Sequence, residues 1–324
     1  MKVHRDAHPA LHDLEPSVDA SFDELLLGLS RHPKSIPPKF FYDEIGCQLF
    51  DEICCLDEYY LTRTEVGILS ERIAEICDLC GPECCLVEFG SGSNVKTRIL
   101  LDHLRAPAAY VPVDIARADL LRSSASLARI YPELCIAPVC ADFTREFTLP
   151  EMPSRVRRTV AFFPGSTIGN LEPAEAENFL SRIAILCGAG SGLLIGVDLK
   201  KDRLTLERAY NDARGVTARF NLNLLARINR SFGAGIRGDR FQHHAFYNEE
   251  FGRIEMHLVS LVEQTVQLNG TSFFFEEGEH IVTEHSYKYG VDEFAKLARR
   301  SGWTVKKVWI DAGNLFSVQY LTIE

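Results

Sequence analysis

Three acids at the ends of apolar runs carry the first chemical signal. Leu86-Val87-Glu88-Phe89-Gly90-Ser91-Gly92-Ser93 is an apolar run that ends in an acid and two glycines, and Ile99-Leu100-Leu101 then begins a helical pattern. That order reads as strand, tight turn and helix N-terminus, with unpaired N–H groups facing whatever lies before the helix. Glycine lets the backbone turn sharply at 90 and 92 and approach a ligand closely. Tyr110 to Ile115 reads as a second strand ending in Asp114, and Ile136 to Phe143 as a third ending in Asp142. Ligands of open α/β sheets bind beyond the carboxyl ends of the strands, so Glu88, Asp114 and Asp142 are expected to converge on one crevice. Asp114 suits a ribose diol, and Asp142 with Phe143 suits an adenine. Each acid alone is an ordinary strand-end residue; the ordered set of three points to a nucleoside. The dinucleotide fingerprint is incomplete, since Val95 stands where its third glycine belongs.

Such a crevice needs a parallel sheet behind it. Strands are expected near 85–89, 110–114, 135–140, 158–163 and 192–198, with helices near 64–80, 95–104, 116–130, 173–187 and 202–213. The fourth strand runs through Pro164 into Gly165-Ser166-Thr167-Ile168-Gly169-Asn170-Leu171, a glycine-rich turn placed to touch ligand. After Asp198 the alternation changes: a helix from Gly215 to Asn229 is followed by strand-like stretches at 253–258, 273–275 and 281–289. A helix from Val291 to Ser301 and two strands joined at Asp311-Ala312-Gly313-Asn314 close the chain. A parallel sheet finished by such a hairpin is the class I methyltransferase arrangement. Ahead of the sheet, residues 1–20 are polar and expected to be loose. Ser21 is a candidate cap with Glu24 at the capping-box position, and three prolines between Arg31 and Pro38 break that helix.

An apolar share of 46% supports a packed core, and a net charge of −10 without a dense basic run argues against nucleic acid as partner. No apolar run approaches a membrane span and Met1 to Pro9 lacks a signal core, so a cytoplasmic location is expected. Cys77-x-x-Cys80 with Cys84-Cys85 superficially resembles a zinc cluster, but adjacent cysteines do not readily share one tetrahedral ion. Buried free thiols are the better reading, with no metal.

Several motifs together resemble one family. Phe41-Tyr42-Asp43, Glu58-Tyr59-Tyr60-x-Thr62-Arg63-Thr64-Glu65, Glu88 to Ser93 with Lys96-Thr97-Arg98, and Gly165 to Leu171 belong to the match. So do Arg208-Ala209-Tyr210-Asn211-Asp212, Gly215 to Ala218 with Phe220-Asn221, Arg253-Ile254-Glu255-Met256 and Thr283-Glu284-x-Ser286. From about residue 20 onward the chain resembles the histidine-specific Nα-methyltransferases of ergothioneine biosynthesis. The resemblance implies transfer of three methyl groups from S-adenosylmethionine to the α-amine of L-histidine, giving hercynine. It places cofactor contacts on Tyr42, Gly90, Lys96, Asp114, Asp142 and Phe143. Substrate contacts fall on Tyr59, Asn170, Tyr210, Glu284 and Ser286, with Gly165 near the amine. Met256, two from Ile254 on its strand, is placed beside the imidazole by its own strand position, and Tyr42 and Tyr59 are candidates for orienting the amine. Two departures stand out: Leu61 where the family commonly has proline, and His285 where asparagine is usual.

The residue types suit that chemistry. Glu284 and Ser286 are two apart, so on a strand they share a face and can hydrogen-bond both nitrogens of an imidazole. A buried carboxylate rejects apolar side chains, which would leave it unpaired. Phe50, Tyr59 and Phe220 are candidates for an aromatic wall that holds a methylated ammonium. The competing readings are the same chemistry on another amino acid or a modified histidine, a nucleotide-dependent oxidoreductase, and a non-catalytic binding protein. The expected architecture is an α/β protein with a class I Rossmann-like sheet (61–198 and 289–324) for S-adenosylmethionine. An α+β substrate-binding domain (20–60 and 199–288) would close over histidine. A monomer is expected.

Overall fold

The computed structural model describes residues 9–14, 18–92 and 94–323. Most of the Met1–Pro9 stretch, and Ser93 of the glycine turn, lie outside the described residues. The N-terminal part contributes β1 (His12–Leu14), α1 (Val18–Leu29), β2 (Lys34–Ser35), a short 3-10 turn (Pro38–Phe41), α2 (Glu44–Cys54) and α3 (Tyr60–Cys80). The middle alternates β3 (Cys84–Phe89), α4 (Val95–Leu101), β4 (Ala109–Asp114), α5 (Arg117–Ile130), β5 (Cys135–Ile136), β6 (Val139–Ala141), β7 (Arg158–Phe163), α6 (Pro173–Cys187) and β8 (Gly192–Asp198). Next come α7 (Arg203–Tyr210), α8 (Val216–Phe232), β9 (Phe241–Asn248), β10 (Arg253–Ser260), β11 (Gln264–Leu268), β12 (Thr271–Phe275) and β13 (His280–Tyr287). The chain closes with α9 (Val291–Arg300), β14 (Thr304–Ile310) and β15 (Phe316–Thr322).

The large sheet has the order β1-β6-β4-β3-β7-β8-β15-β14, with β5 also paired to β4. From β3 the chain moves outward through β4 and β6, then returns to the other side of β3 with β7 and β8. That reversal creates the switch point where ligands bind in such sheets. All pairings are parallel as far as β8, and β15 and β14 add the antiparallel hairpin. The class I methyltransferase arrangement expected from the sequence is therefore present. Every residue of β3 and β8 is buried, as a parallel sheet covered by helices on both faces requires. Successive side chains serve opposite layers: Cys84 and Leu86 face one core with Phe162 and Leu194, while Cys85, Val87 and Phe89 face the other. Cys77 and Cys80 join the first of these cores. Burial pushes the Cys77 and Cys84 thiols up to about 11 and Cys85 up to about 12; packed in these cores they serve as small hydrophobes.

A smaller sheet, β2-β13-β10-β9, stands beside the large one, and β11 pairs with β12 in a separate hairpin. Glu284 on β13 lies opposite Met256 on β10, so the two share a face. The 3-10 turn and α2 pack against α8 of this second unit. Gly46 lets the start of α2 lie against the 3-10 turn, because a Cβ there would sit 1.7 Å from the Phe41 carbonyl oxygen.

Several local expectations change. Residues 1–20 are not uniformly loose, because β1 pairs in parallel with β6 on the sheet edge. The first helix begins at Val18, so Ser21 is an interior position and not its cap; Glu24 instead pairs with Lys39 and Arg145. The helix expected from Thr64 starts at Tyr60, which puts Leu61 in the first turn, where proline is also tolerated. The third strand divides at Ala137-Pro138 because proline has no ladder N–H to give.

Candidate active site

Beyond the carboxyl ends of β3, β4 and β6 lies a crevice of about 850 Å³, lined by Glu88, Asp114 and Asp142 together. Each acid is held differently. Glu88 accepts from Thr97 Oγ1 (2.7 Å) and Tyr110 OH (2.6 Å), and burial nevertheless pushes its carboxyl up to about 7. Asp114 is also raised by burial, against hydrogen bonds from the backbone N–H groups of Ala116, Ile115 and Ser91. For Asp142 burial acts upward, but Thr144 and the Lys39 ammonium at 3.0 Å outweigh it and hold the carboxyl below its ordinary range.

The glycine turn fits a close ligand. Gly90 has φ +77°, a conformation that side chains rarely adopt, and a Cβ there would lie 3.9 Å from the Phe143 ring. Gly92 has open space beside it, and the buried Ser91 hydroxyl has no hydrogen-bond partner. Phe143 is wedged among Phe89, Phe163 and Phe179, with ring centroids 5.7 to 6.3 Å apart. An orphaned hydroxyl, a backbone cradle and a strand-end acid held by backbone N–H groups are the donor set an adenosine needs. The residues fit S-adenosylmethionine.

Tyr42, Phe50, Tyr59, Lys96, Gly165 and Asn170 line the same crevice. The Tyr42 ring meets Phe50 and Phe220 edge-on at 5.9 and 6.1 Å, and Phe50 meets Tyr59 at 6.4 Å. Phe220 stands behind this wall, stacked on Phe41 at 4.5 Å. The Tyr42 phenol is pushed well above its ordinary range by burial and then by the charges of Glu284 and Asp114, so it senses both ends of the site.

Tyr210, Met256, Glu284 and Ser286 do not line the crevice but lie buried together behind Asn170 and Tyr59. Asn170 Nδ2 donates to Glu284 Oε2 at 3.3 Å, and the Tyr59 and Tyr210 rings meet at 6.2 Å. Burial pushes the Glu284 carboxyl up to about 7, opposed by Lys288. The Tyr210 hydroxyl turns onto Ser286 Oγ (2.9 Å) and Lys288 Nζ (3.1 Å).

Two groups escaped the sequence reading. Glu65, on the first turns of α3, is buried; it accepts from Lys96 Nζ at 2.5 Å and from the backbone N–H of Gly165. Lys288 is buried within a network of Asp198, Tyr210 and Ser286. The two-residue period that puts Glu284 and Ser286 on one face continues to Lys288 and could have found it. Glu65 sits inside a quoted motif, but nothing local gives it a partner.

The comparisons with known proteins agree with this geometry. Residues 22–323 match the family model described as "Histidine-specific methyltransferase, SAM-dependent". The chain is 40% identical over 309 residues to a histidine N-alpha-methyltransferase of Mycolicibacterium smegmatis, covering 94% of this chain and 95% of that one. It is 41% identical over 296 residues to the histidine N-alpha-methyltransferase of Mycobacterium tuberculosis, covering 90% and 91%. A 29% identical match over 297 residues to ergothioneine biosynthesis protein 1 of Neurospora crassa covers 89% of this chain and 33% of that longer protein. The chain belongs to the histidine-specific, S-adenosylmethionine-dependent methyltransferase family.

Proposed function

We propose that the protein trimethylates the α-amine of L-histidine to hercynine, with S-adenosylmethionine as donor. The observation that carries this reading is the position of Glu284. It is buried, shares a strand face with Ser286, stands opposite Met256, and is joined through Asn170 to the crevice that holds Asp114.

Asp114 would hold the ribose, Asp142 and Phe143 the adenine, and Gly90 and Lys96 the remaining cofactor wall. Bound there, the cofactor supplies an electrophilic sulfonium methyl. Glu284 and Ser286 would take the imidazole with Met256 against the ring, Asn170 would serve the amino-acid end, and Tyr210, whose hydroxyl is turned onto Ser286, would support that side of the site. Tyr42, Tyr59 and the Gly165 backbone would then orient the amine. Tyr42 stays protonated, so its oxygen can accept an amine N–H and leave the nitrogen lone pair toward the methyl. Positioning supplies much of the rate, and no strong base is required. The aromatic wall tolerates each added methyl, because ring faces hold a cation without hydrogen bonds to lose.

The reading divides the chain into a cofactor domain (61–198 and 289–324) and a substrate domain (20–60 and 199–288), with the crevice between them. It takes the protein as a cytoplasmic monomer: one chain supplies every residue named, and its ten free cysteines suit a reducing compartment. The test is mass spectrometry of the purified protein with S-adenosylmethionine and a full set of amino acids. A gain of three methyls on histidine alone is expected; methylation of a different acceptor would overturn the roles given to Glu284 and Ser286.

A further inference from the structure

Lys288 is fully buried, and its three ammonium hydrogens have three acceptors. Nζ lies 2.8 Å from Asp198 Oδ2, 2.8 Å from Ser286 Oγ and 3.1 Å from Tyr210 OH. Burial acts against the charge, but Asp198 outweighs it and holds Lys288 above the ordinary lysine range. Lys201 cannot take over this work, because its ammonium is engaged by Asp198 Oδ1, Tyr60 OH and the Leu199 carbonyl.

A lysine ammonium donates and never accepts. Ser286 Oγ and Tyr210 OH must therefore both accept from it. The two hydroxyls lie 2.9 Å apart and share one further hydrogen bond. The phenol is the stronger acid, so it donates to the serine. Ser286 then accepts twice, both its lone pairs are used, and its own hydrogen is left to point away. The pair thus presents an acceptor oxygen at Glu284 and a donor at Ser286.

We infer that Lys288 is a positioning residue that fixes Ser286 as a hydrogen-bond donor, so that the pocket takes the neutral imidazole, with one N–H and one bare nitrogen, and disfavours the imidazolium. The inference rests on reading Glu284 and Ser286 as the imidazole-holding pair. A cationic ring would bring a second N–H against the Ser286 hydrogen. The charged and titratable groups around this pair are Asp198 from β8, Lys201 from the loop after it, Tyr60 from α3, Tyr210 from α7, and Glu284 and Lys288 from β13 and its end. Tyr42 and Tyr59 flank Glu284 from the N-terminal side.

The test is nitrogen NMR of ring-labelled L-histidine bound to the full chain with S-adenosylhomocysteine, near pH 6, where free imidazole is about half protonated or more. One bare-type and one protonated-type resonance are expected; two protonated-type resonances in the unaltered protein would overturn the inference whatever any variant does. Lys288→Met frees Ser286 to accept and should convert the bound ring to the imidazolium. Lys288→Leu removes the same donor, and in both variants Asp198 keeps Lys201 as its buried partner, so it should do likewise. An unchanged bare nitrogen in either folded variant would overturn the role of Lys288. Ser286→Ala should shift the bare-nitrogen resonance; no shift would show that the ring is not at Ser286, which is the separate failure of the underlying reading.

Discussion

The backbone N–H of Gly165 donates to both carboxylate oxygens of Glu65, at 3.1 and 2.9 Å, across a separation of 100 residues. The same carboxylate receives Lys96 from the glycine-turn helix. One side chain of α3 therefore ties the start of α4 to the turn after β7, both of which line the crevice.

Glu65→Gln should loosen that tie, because an amide cannot accept from an ammonium and a backbone N–H as a carboxylate does. Misplacement by about an ångström costs on the order of a hundredfold in positioning-dependent rates. A fall in kcat of about tenfold to a hundredfold is expected, measured in steady-state kinetics with a thermal melt as the control for folding.

Gly196→Ala attacks the same carboxylate from the other side. A Cβ at residue 196 would lie 2.1 Å from Glu65 Oε1. Overpacking of this kind costs about 1–3 kcal/mol. The variant should melt lower and resemble Glu65→Gln kinetically, which chemical denaturation and the same assay would read.

The contribution of Glu88 and Glu284 to stability should fall as pH rises toward neutrality. Burial raises Glu88 and Glu284 in the folded state to about 7, above the ordinary glutamate value of about 4.3. A group raised on folding contributes fully below its unfolded value and loses that contribution as pH climbs through the folded one. Glu284→Gln should therefore melt above the unaltered protein at about pH 8, with the difference shrinking near pH 4.5. It should also lose affinity for histidine. Thermal scans across that range, with titration of histidine, decide both.

Asp114→Asn should weaken cofactor binding while leaving the fold intact. Charged hydrogen bonds contribute about 1.5–3 kcal/mol, which is roughly tenfold to a hundredfold in affinity. Calorimetric titration with S-adenosylhomocysteine would show it.

The parallel centre of the large sheet was legible because β3, β4, β7 and β8 are apolar almost throughout and are followed by turn signals. Glu284 and Ser286 were found through the family resemblance, and the two-residue period of a strand then placed them on one face. The partner of Glu65 was not, since Gly165 offers only a backbone N–H from 100 positions away. Tyr210 shows a similar limit. Its residue type suited a substrate carboxylate, but a buried Lys288 with donors to satisfy turned the phenol elsewhere. Strand β1 escaped because three residues carry no measurable period, and only the unpaired side of β6 calls for it.

That short strand has a consequence for how the chain can be handled. The other margin of the large sheet, β14, carries exposed Lys306 and Lys307, charges that discourage a neighbouring molecule from adding a strand. The opposite margin, Val139–Ala141, is wholly buried and has no such charges; His12–Leu14 is what lies along it. A shortened chain beginning after residue 14 would expose three apolar residues with open ladder positions. It should keep its chemistry and lose its solubility, self-associating edge to edge as concentration rises.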